Sequence, residues 1–354
     1  MFKMYSINML SSADKVKGQG VGAAYIEQVG LVNDGLRDCY HIYENKFMLA
    51  DIMHYHTIDL KHYLMIPFAK LKGINVGYVH FLPETIDNSL ELPKFSKKIF
   101  YKYIISFYKN MDNLVTVNPY FVKRLAEYGI DREKITYIPN FVSDKHFYSM
   151  DKDEKKELRS KYGIGKDDFV VLGVGQVQTR KGVMDFIKAA ESMKDVKFIW
   201  AGGFSFGKIT SGYRQLKELV DAPPSNVRFM GILEREQMNE IYNVSNLFFL
   251  PSYNELFPMS VLEAFSCELP VLLRDLDIYP QVLFDYYLKG NNIQEFINVI
   301  NRLKHEAEYG DYWTKQSRKG HEYYSEENVL SMWKDFYNKI SRKKRRLNKV
   351  RLNQ

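Results

Sequence analysis

The 354 residues carry 50 Lys and Arg against 43 Asp and Glu, a net charge of +7, and 45% of them are hydrophobic. A chain of that size and apolar content is long enough for two domains with proper cores and excludes disorder as its main state. The basic excess points to a polyanionic partner, nucleic acid or anionic lipid, and 26 Tyr and 23 Phe beside the lysines suit a membrane interface, where rings sit at headgroup level.

The segment Met1–Leu10 is too short and polar for a signal peptide and reads as a first β-strand. No apolar run approaches the ~20 residues needed to cross a bilayer. Two cysteines, Cys39 and Cys267, fall in different predicted domains, which argues for a reducing cytosol and against a disulfide framework or zinc site. Gly18-Gln19-Gly20-Val21-Gly22 follows the first strand and precedes a predicted helix, Ala23–Leu31; its place at a strand's carboxyl end favours a binding loop over a bare connection. Further strands are predicted at Asp51–His54, Val76–His80, Leu114–Val117 and Ile135–Ile138. His54, His56 and His80 lie on separate strands without Asp or Glu at ligand spacing, which argues against a metal site.

Wound at about 100° per residue, Lys94–Asn110 puts Lys94, Lys97, Lys98, Lys102 and Lys109 on one face and Ile99, Phe100, Tyr103, Ile104 and Phe107 opposite. Tyr101, Ile105 and Tyr108 interrupt the lysine face with apolar bulk. That suits an interfacial helix on anionic lipid more than an ordinary packed surface helix. Asn118-Pro119 caps a helix through Tyr128, which Gly129 stops, and Asp151–Lys161 reads as a helix at the domain junction.

A second series of strands begins at Phe169–Gly173 and continues through Phe198–Ala201, Val227–Met230, Leu247–Leu250 and Val271–Leu273. Strands alternating with helices twice over predict an α/β chain of two Rossmann-like domains, with ligand at the strands' carboxyl ends. The predicted divisions are residues 1–145, residues 146–325, a closing helix over 326–341 with Trp333, Phe336 and Tyr337, and a basic tail over 342–354 whose charge predicts fraying.

Two stretches of the second series carry chemistry. Gly173-Val174-Gly175-Gln176-Val177-Gln178-Thr179-Arg180-Lys181-Gly182 follows a strand and opens a helix; its glycines let backbone approach a phosphate, and the lysine supplies a mobile charge. In Asn254-Glu255-Leu256-Phe257-Pro258-Met259-Ser260-Val261-Leu262-Glu263-Ala264-Phe265, proline at the predicted first helical position leaves first-turn N–H groups for an anion, between two carboxylates able to bind hydroxyls. That combination fits a nucleotide diphosphate-sugar.

From Phe169 to Leu273 the chain resembles the family 4 glycosyltransferases, whose fold, GT-B, faces two Rossmann-like domains across a cleft. The resemblance implies a retaining, metal-independent hexosyltransferase without cofactor. It implies His80 at the donor sugar, Lys181 at the diphosphate, Glu255 at sugar hydroxyls and Glu263 at the ribose. Gly20, Gly22, Gln176, Arg180, Phe257 and Met259 complete the implied donor contacts. Where the family has Arg paired with Lys five residues on, this chain has Gln176, so Arg180 is either a substitute or a solvated loop charge. Asn140, in Ile138-Pro139-Asn140-Phe141-Val142, matches the interdomain crossover; Phe141 and Leu256 stand where glycine is usual.

In its first domain, through Ser11–Lys15, the loop His80–Pro93 and the basic helix, the chain is similar to bacterial enzymes that extend glucosyl-diacylglycerol. The expected partners are therefore UDP-hexose, a glycolipid acceptor and the anionic inner face of the cell membrane, with no nucleic acid. A polysaccharide or other glycan acceptor, or a sugar-nucleotide epimerase on the same fold, is the alternative.

Overall fold

The computed structural model describes residues 4–12, 20–83, 94–204 and 212–352, with side chains left out at 20–23, 94 and 343–352. Contacts divide the chain into two units: 1–141 together with 326–354, and 142–325. The first division falls between Phe141 and Val142, inside the expected crossover stretch and four residues before the predicted position; the second falls at 325.

Unit 1 runs β1 (Tyr5–Leu10), α1 (Gly20–Leu36), β2 (Tyr40–Glu44), β3 (Ile52–Tyr55), α2 (Leu60–Lys72), β4 (Ile74–Val79), α3 (Lys94–Lys109), β5 (Asn113–Thr116), α4 (Pro119–Glu127) and β6 (Ile135–Tyr137). Its strands are parallel in the order β2-β1-β3-β4-β5-β6. Ile7, Met9, Ile52, Met53, Val76, Val79 and Val115 are fully buried, as befits a sheet covered on both faces. The edge strand β2 went unpredicted, since Tyr40-His41-Ile42-Tyr43-Glu44 lacks an apolar run. The Asn118 side chain accepts from Tyr120 N (2.9 Å), capping α4 as expected.

The last helix, α13 (Glu326–Leu352), returns to unit 1. Trp333, Phe336 and Tyr337 are buried, and Leu330 lies against Gly35 of α1, where any side chain would collide with it. The backbone stays helical to Leu352 where a frayed tail was expected from 342. The reason is compositional: Arg, Lys and Leu are good helix formers, and no Gly or Pro interrupts the stretch.

Unit 2 runs α5 (Lys152–Lys161), β7 (Phe169–Val174), α6 (Val183–Ser192), β8 (Val196–Ala201), α7 (Tyr213–Asp221), β9 (Val227–Gly231), α8 (Arg235–Val244), β10 (Leu247–Leu250), α9 (Met259–Ser266), β11 (Val271–Arg274), α10 (Tyr279–Val282), β12 (Leu288–Gly290), α11 (Ile293–His305) and α12 (Ala307–Tyr323). Its parallel order is β12-β11-β10-β7-β8-β9. The chain builds outward from β7 through β8 and β9, then restarts on the other side of β7 with β10. Such a reversal opens a crevice at the carboxyl ends of the two central strands, the usual ligand position in open α/β sheets.

Candidate functional site

Both sequence stretches singled out for chemistry begin at that reversal. The glycine-rich loop leaves β7, and the Glu255 loop leaves β10, its hydrogen-bonded neighbour. Two glycines permit the close approach. Gly182 has φ +71°, and a Cβ there would run into the Pro251 carbonyl; Gly202, φ +135°, sits against the Gly175 carbonyl. Tyr253 N donates to Arg180 O (2.9 Å), tying one loop to the other.

Glu255 is the centre of the arrangement. Its Oε1 accepts from Lys181 Nζ and from Ser252 Oγ, each at 2.6 Å, and its Oε2 lies 3.7 Å from an Arg180 guanidinium nitrogen. Burial alone would raise the carboxyl; the Lys181 and Arg180 cations and the Ser252 hydroxyl outweigh it and hold Glu255 below the usual carboxylate range. Burial draws the Lys181 ammonium down, with Glu255 opposing. Arg180 also donates to Asn254 O (2.7 Å), so it turns toward the same loop as Lys181 and is not a solvated charge. The tight 3-10 turn at Thr179–Lys181 lets consecutive side chains converge. Gln176 accepts from Gln178 Nε2 (2.5 Å).

Pro258 is the N-cap of α9 and Met259 its first helical residue, one position later than the sequence suggested. The first-turn N–H groups of Met259 and Ser260 have no acceptor within the helix, and the positive end of its dipole lies there. The Phe257 and Met259 side chains are buried, Phe257 edge-on to Tyr324 (5.6 Å), so these two residues offer backbone to a ligand. One turn on, Glu263 Oε2 accepts from Tyr242 OH (2.7 Å). Burial first, then Glu263, pushes the Tyr242 hydroxyl well above its ordinary value and keeps it a donor.

A second cluster beneath the Glu255 loop went unnoticed in the sequence. Asp185 of α6 pairs with Arg274 at the end of β11 and accepts from Tyr253 OH (2.6 Å). Arg274 stacks on the Tyr253 ring (4.1 Å) and donates to Pro251 O (3.2 Å). A lone Asp inside an apolar helix and an Arg closing an apolar strand are the signal that could have revealed it.

In unit 1 the histidines gather at the carboxyl ends of β3 and β4. His54 and His56 lie 4.4 Å apart, His56 stacks on Tyr78 (5.1 Å), and Tyr78 reaches His80 (4.3 Å). His54 Nδ1 is 2.8 Å from Tyr337 OH. Burial lowers His54 and His80 to about 3, with His80 adding to the effect on His54, so these rings are neutral. His80 Nε2 has no hydrogen-bond partner among the described residues. Among those residues no His, Cys, Asp and Glu group is arranged to hold a metal. Gly20 and Gly22 fall in the first turn of α1; Gly18, Gln19, residues 13–15 and residues 84–93 lie outside the described residues.

On α3, Lys98, Lys102 and Lys109 are exposed together, while Lys97 rolls to the half-buried flank with its ammonium 5.6 Å from the Tyr101 ring. The predicted faces are otherwise corrected at two places. Ile99 is exposed beside Lys102, about 60° away around the helix. Tyr108 is buried and donates to Phe81 O (3.0 Å), so it does not interrupt the lysine face. The Lys94 side chain is not described, and no helix among the described residues is long and apolar enough to cross a membrane.

The model for "Glycosyltransferase Family 4" matches residues 24–146, and that for "Glycosyl transferases group 1" matches residues 154–320. The chain is 46% identical over 338 residues to alpha-galactosylglucosyldiacylglycerol synthase of Streptococcus pneumoniae (strain ATCC BAA-255 / R6), covering 95% of this chain and 90% of that one. It is 26% identical to processive diacylglycerol alpha-glucosyltransferase of Acholeplasma laidlawii, over 71% of this chain and 76% of the relative. Among solved structures, Anabaena Alr3699/HepE in complex with UDP-glucose superposes with a TM-score of 0.75 at 14% identity, covering 95% of this chain and all of that one. Sucrose-phosphate synthase from Thermosynechococcus elongatus gives 0.77 at 15% identity, over 95% and 99%. At such identities the structures speak for the fold alone. Two family models in succession and a relative at 46% identity along nearly the whole length carry the conclusion: the chain belongs to the family 4 glycosyltransferases, with two Rossmann-like units of the GT-B type.

Proposed function

We propose that this protein is a retaining hexosyltransferase that moves galactose or glucose from a UDP-sugar to a glycolipid such as glucosyl-diacylglycerol, at the anionic inner face of the cell membrane. The observation that carries the donor half is the Lys181–Glu255 pair beside the first turn of α9. Lys181, the Met259 and Ser260 amides and the α9 dipole form a cradle for a diphosphate. Glu255, in the loop before α9, and Glu263, one turn into it, then accept from the hydroxyls of the sugar and of the ribose. Held by Glu255, the Lys181 ammonium is aimed before any phosphate arrives, and preorganised charge is the largest lever on such a reaction.

The reaction balances without a protein nucleophile. The acceptor hydroxyl oxygen bonds to the anomeric carbon as the bond from that carbon to the diphosphate oxygen breaks. The departing phosphate oxygen takes the acceptor proton. Lys181 and the α9 amides meet the charge that develops on the leaving group. Neither a cofactor nor a divalent metal is part of this proposal.

The acceptor half rests on the galactosylglucosyldiacylglycerol synthase relative and on the exposed Lys98, Lys102 and Lys109 of α3, placed to meet anionic headgroups. Incubation with labelled UDP-galactose or UDP-glucose and glucosyl-diacylglycerol, followed by solvent extraction, tests the whole. Label in the organic phase with α-anomeric configuration supports it. Label only in a water-soluble glycan, or an epimerised nucleotide-sugar formed without acceptor, overturns it.

A further inference from the structure

Helix α2 presents its apolar side outward. Leu60, Leu64, Phe68 and Leu71 are each 63–84% exposed, and at about 100° per residue they fall within about 80° of arc, joined by exposed Pro67. His62, Ile66 and Ala69 face the other way and are buried. The helix is therefore not short of a packing face; it has one and carries a second apolar stripe that is exposed among the described residues. Such stripes on a soluble surface mark a site of association.

Its neighbour continues the surface. Tyr63 of α2 hydrogen-bonds Ser106 of α3 (2.8 Å) and packs on Tyr103 (5.4 Å), so the two helices lie side by side. On α3, Phe95 and Ile99 are 78% and 54% exposed among the lysines. Charge decides the occupant: α2 contains three lysines and α3 five, and neither contains an Asp or Glu. A second copy docked about a two-fold axis would set these lysines against themselves. A bilayer with anionic headgroups and an apolar interior satisfies both the lysines and the stripe.

We infer that α2 inserts its Leu60–Leu64–Phe68–Leu71 stripe into the headgroup boundary of an anionic membrane, while the lysines of α3 hold the headgroups. This rests on the membrane reading above and adds to it the element that enters the apolar layer. Attraction by lysines is screened by salt; insertion of apolar side chains is not.

Sedimentation of the full-length protein with vesicles of phosphatidylcholine and phosphatidylglycerol tests this, at low salt and at about 1 M salt, where charges are screened within about 3 Å. Wild type should retain a salt-resistant bound fraction. Leu64→Ser with Phe68→Ser, both exposed and so tolerable to the fold, should weaken salt-resistant binding by about tenfold or more. Lys98→Gln with Lys102→Gln should weaken binding at low salt and leave that fraction intact. Equal binding of the stripe variant and wild type at both salts overturns the inference. So does a wild type that ignores vesicles, or one that is dimeric and turns monomeric in the stripe variant with vesicle binding unchanged. Transfer to detergent-dispersed acceptor, measured alongside, separates the two ideas: its absence in wild type sinks the reaction proposed above and leaves the vesicle result standing.

Discussion

Lys181 Nζ lies 2.6 Å from Glu255 Oε1 across 74 residues of sequence, and the contact exists because β7 and β10 are neighbours in the sheet. Both groups are largely buried, so each is the other's principal counter-charge.

Removing one partner should therefore act on stability and on chemistry together. Lys181→Ala and Glu255→Ala are each expected to lower turnover by about 10²–10³. Each should also cost about 3–5 kcal/mol, as an uncompensated buried charge does. The neutral double variant Lys181→Met with Glu255→Leu should regain most of the melting temperature and none of the turnover. Calorimetry beside initial-rate assays decides it; near-wild-type activity in either single variant would show that the pair is structural only.

Glu263 offers a cleaner binding test, since it stands off the ion pair. Glu263→Ala should lose about 1.5–3 kcal/mol of UDP affinity, the usual worth of a hydrogen bond to a charged group. Tyr242→Phe removes the hydroxyl that orients Glu263 and should cost less, about 2- to 12-fold in Kd. Isothermal titration with UDP that finds wild-type affinity in both variants removes Glu263 from the donor site.

Gly182→Ala should damage the site through the backbone that carries Lys181. At φ +71° an L side chain is strained, and here it also meets the Pro251 carbonyl. A melting-temperature loss with a raised KM for the UDP-sugar is expected; an unperturbed variant would mean the two loops are not clamped at this point.

Chelation is expected to leave turnover unchanged, because charge on the leaving diphosphate is assigned to Lys181 and the α9 amides. Activity lost with EDTA and restored by a divalent cation would move that role to a metal.

Acid should destabilise unit 1. His54, His56 and His80 are neutral in the folded chain, with pKa values lowered by burial and further by His80 for His54, and by His54, His80 and His62 for His56. Unfolded histidines bind protons below about 6.5, whereas His54 and His80 bind none until about pH 3 and His56 is held well below its ordinary value, so stability falls as pH drops below about 6.5. Three such groups give a slope approaching about 4 kcal/mol per pH unit at its steepest. Thermal melts between pH 7.5 and 5, in roughly half-unit steps, should show a drop that His54→Phe lessens; a flat profile would contradict the buried-neutral assignment.

The alternation of strands and helices was readable where strands are continuous apolar runs, as at Phe169–Val174 and Leu247–Leu250. It failed at β2 and β12, an edge strand rich in polar residues and a strand of three residues, which rely on neighbours for their pairing. Glu255 and Lys181 each stood out in local pattern, but nothing local says that they meet; strand order alone sets that. Arg274 and Asp185 were invisible for the same reason. On α3 the spacing located two faces but not which flank the sheet would cover, so Lys97 and Ile99 were misplaced. The stripe on α2 escaped notice because apolar residues at helical spacing read as core, and only exposure in the fold tells an outward stripe from an inward one.

The pairing of His54 with Tyr337 joins residues 283 positions apart, and Trp333 packs 5.5 Å from the same imidazole. Unit 1 is thus made of the first and last parts of the chain. During synthesis its sheet leaves the ribosome with that aromatic wall missing, and at about 5–20 residues per second it waits about 10–40 s for the closing helix. Unit 2 is continuous and can mature in the interval. A stalled or prematurely terminated chain would then present a finished nucleotide-sugar fold attached to an open, histidine-lined sheet, a species that quality-control proteases could distinguish from the complete enzyme.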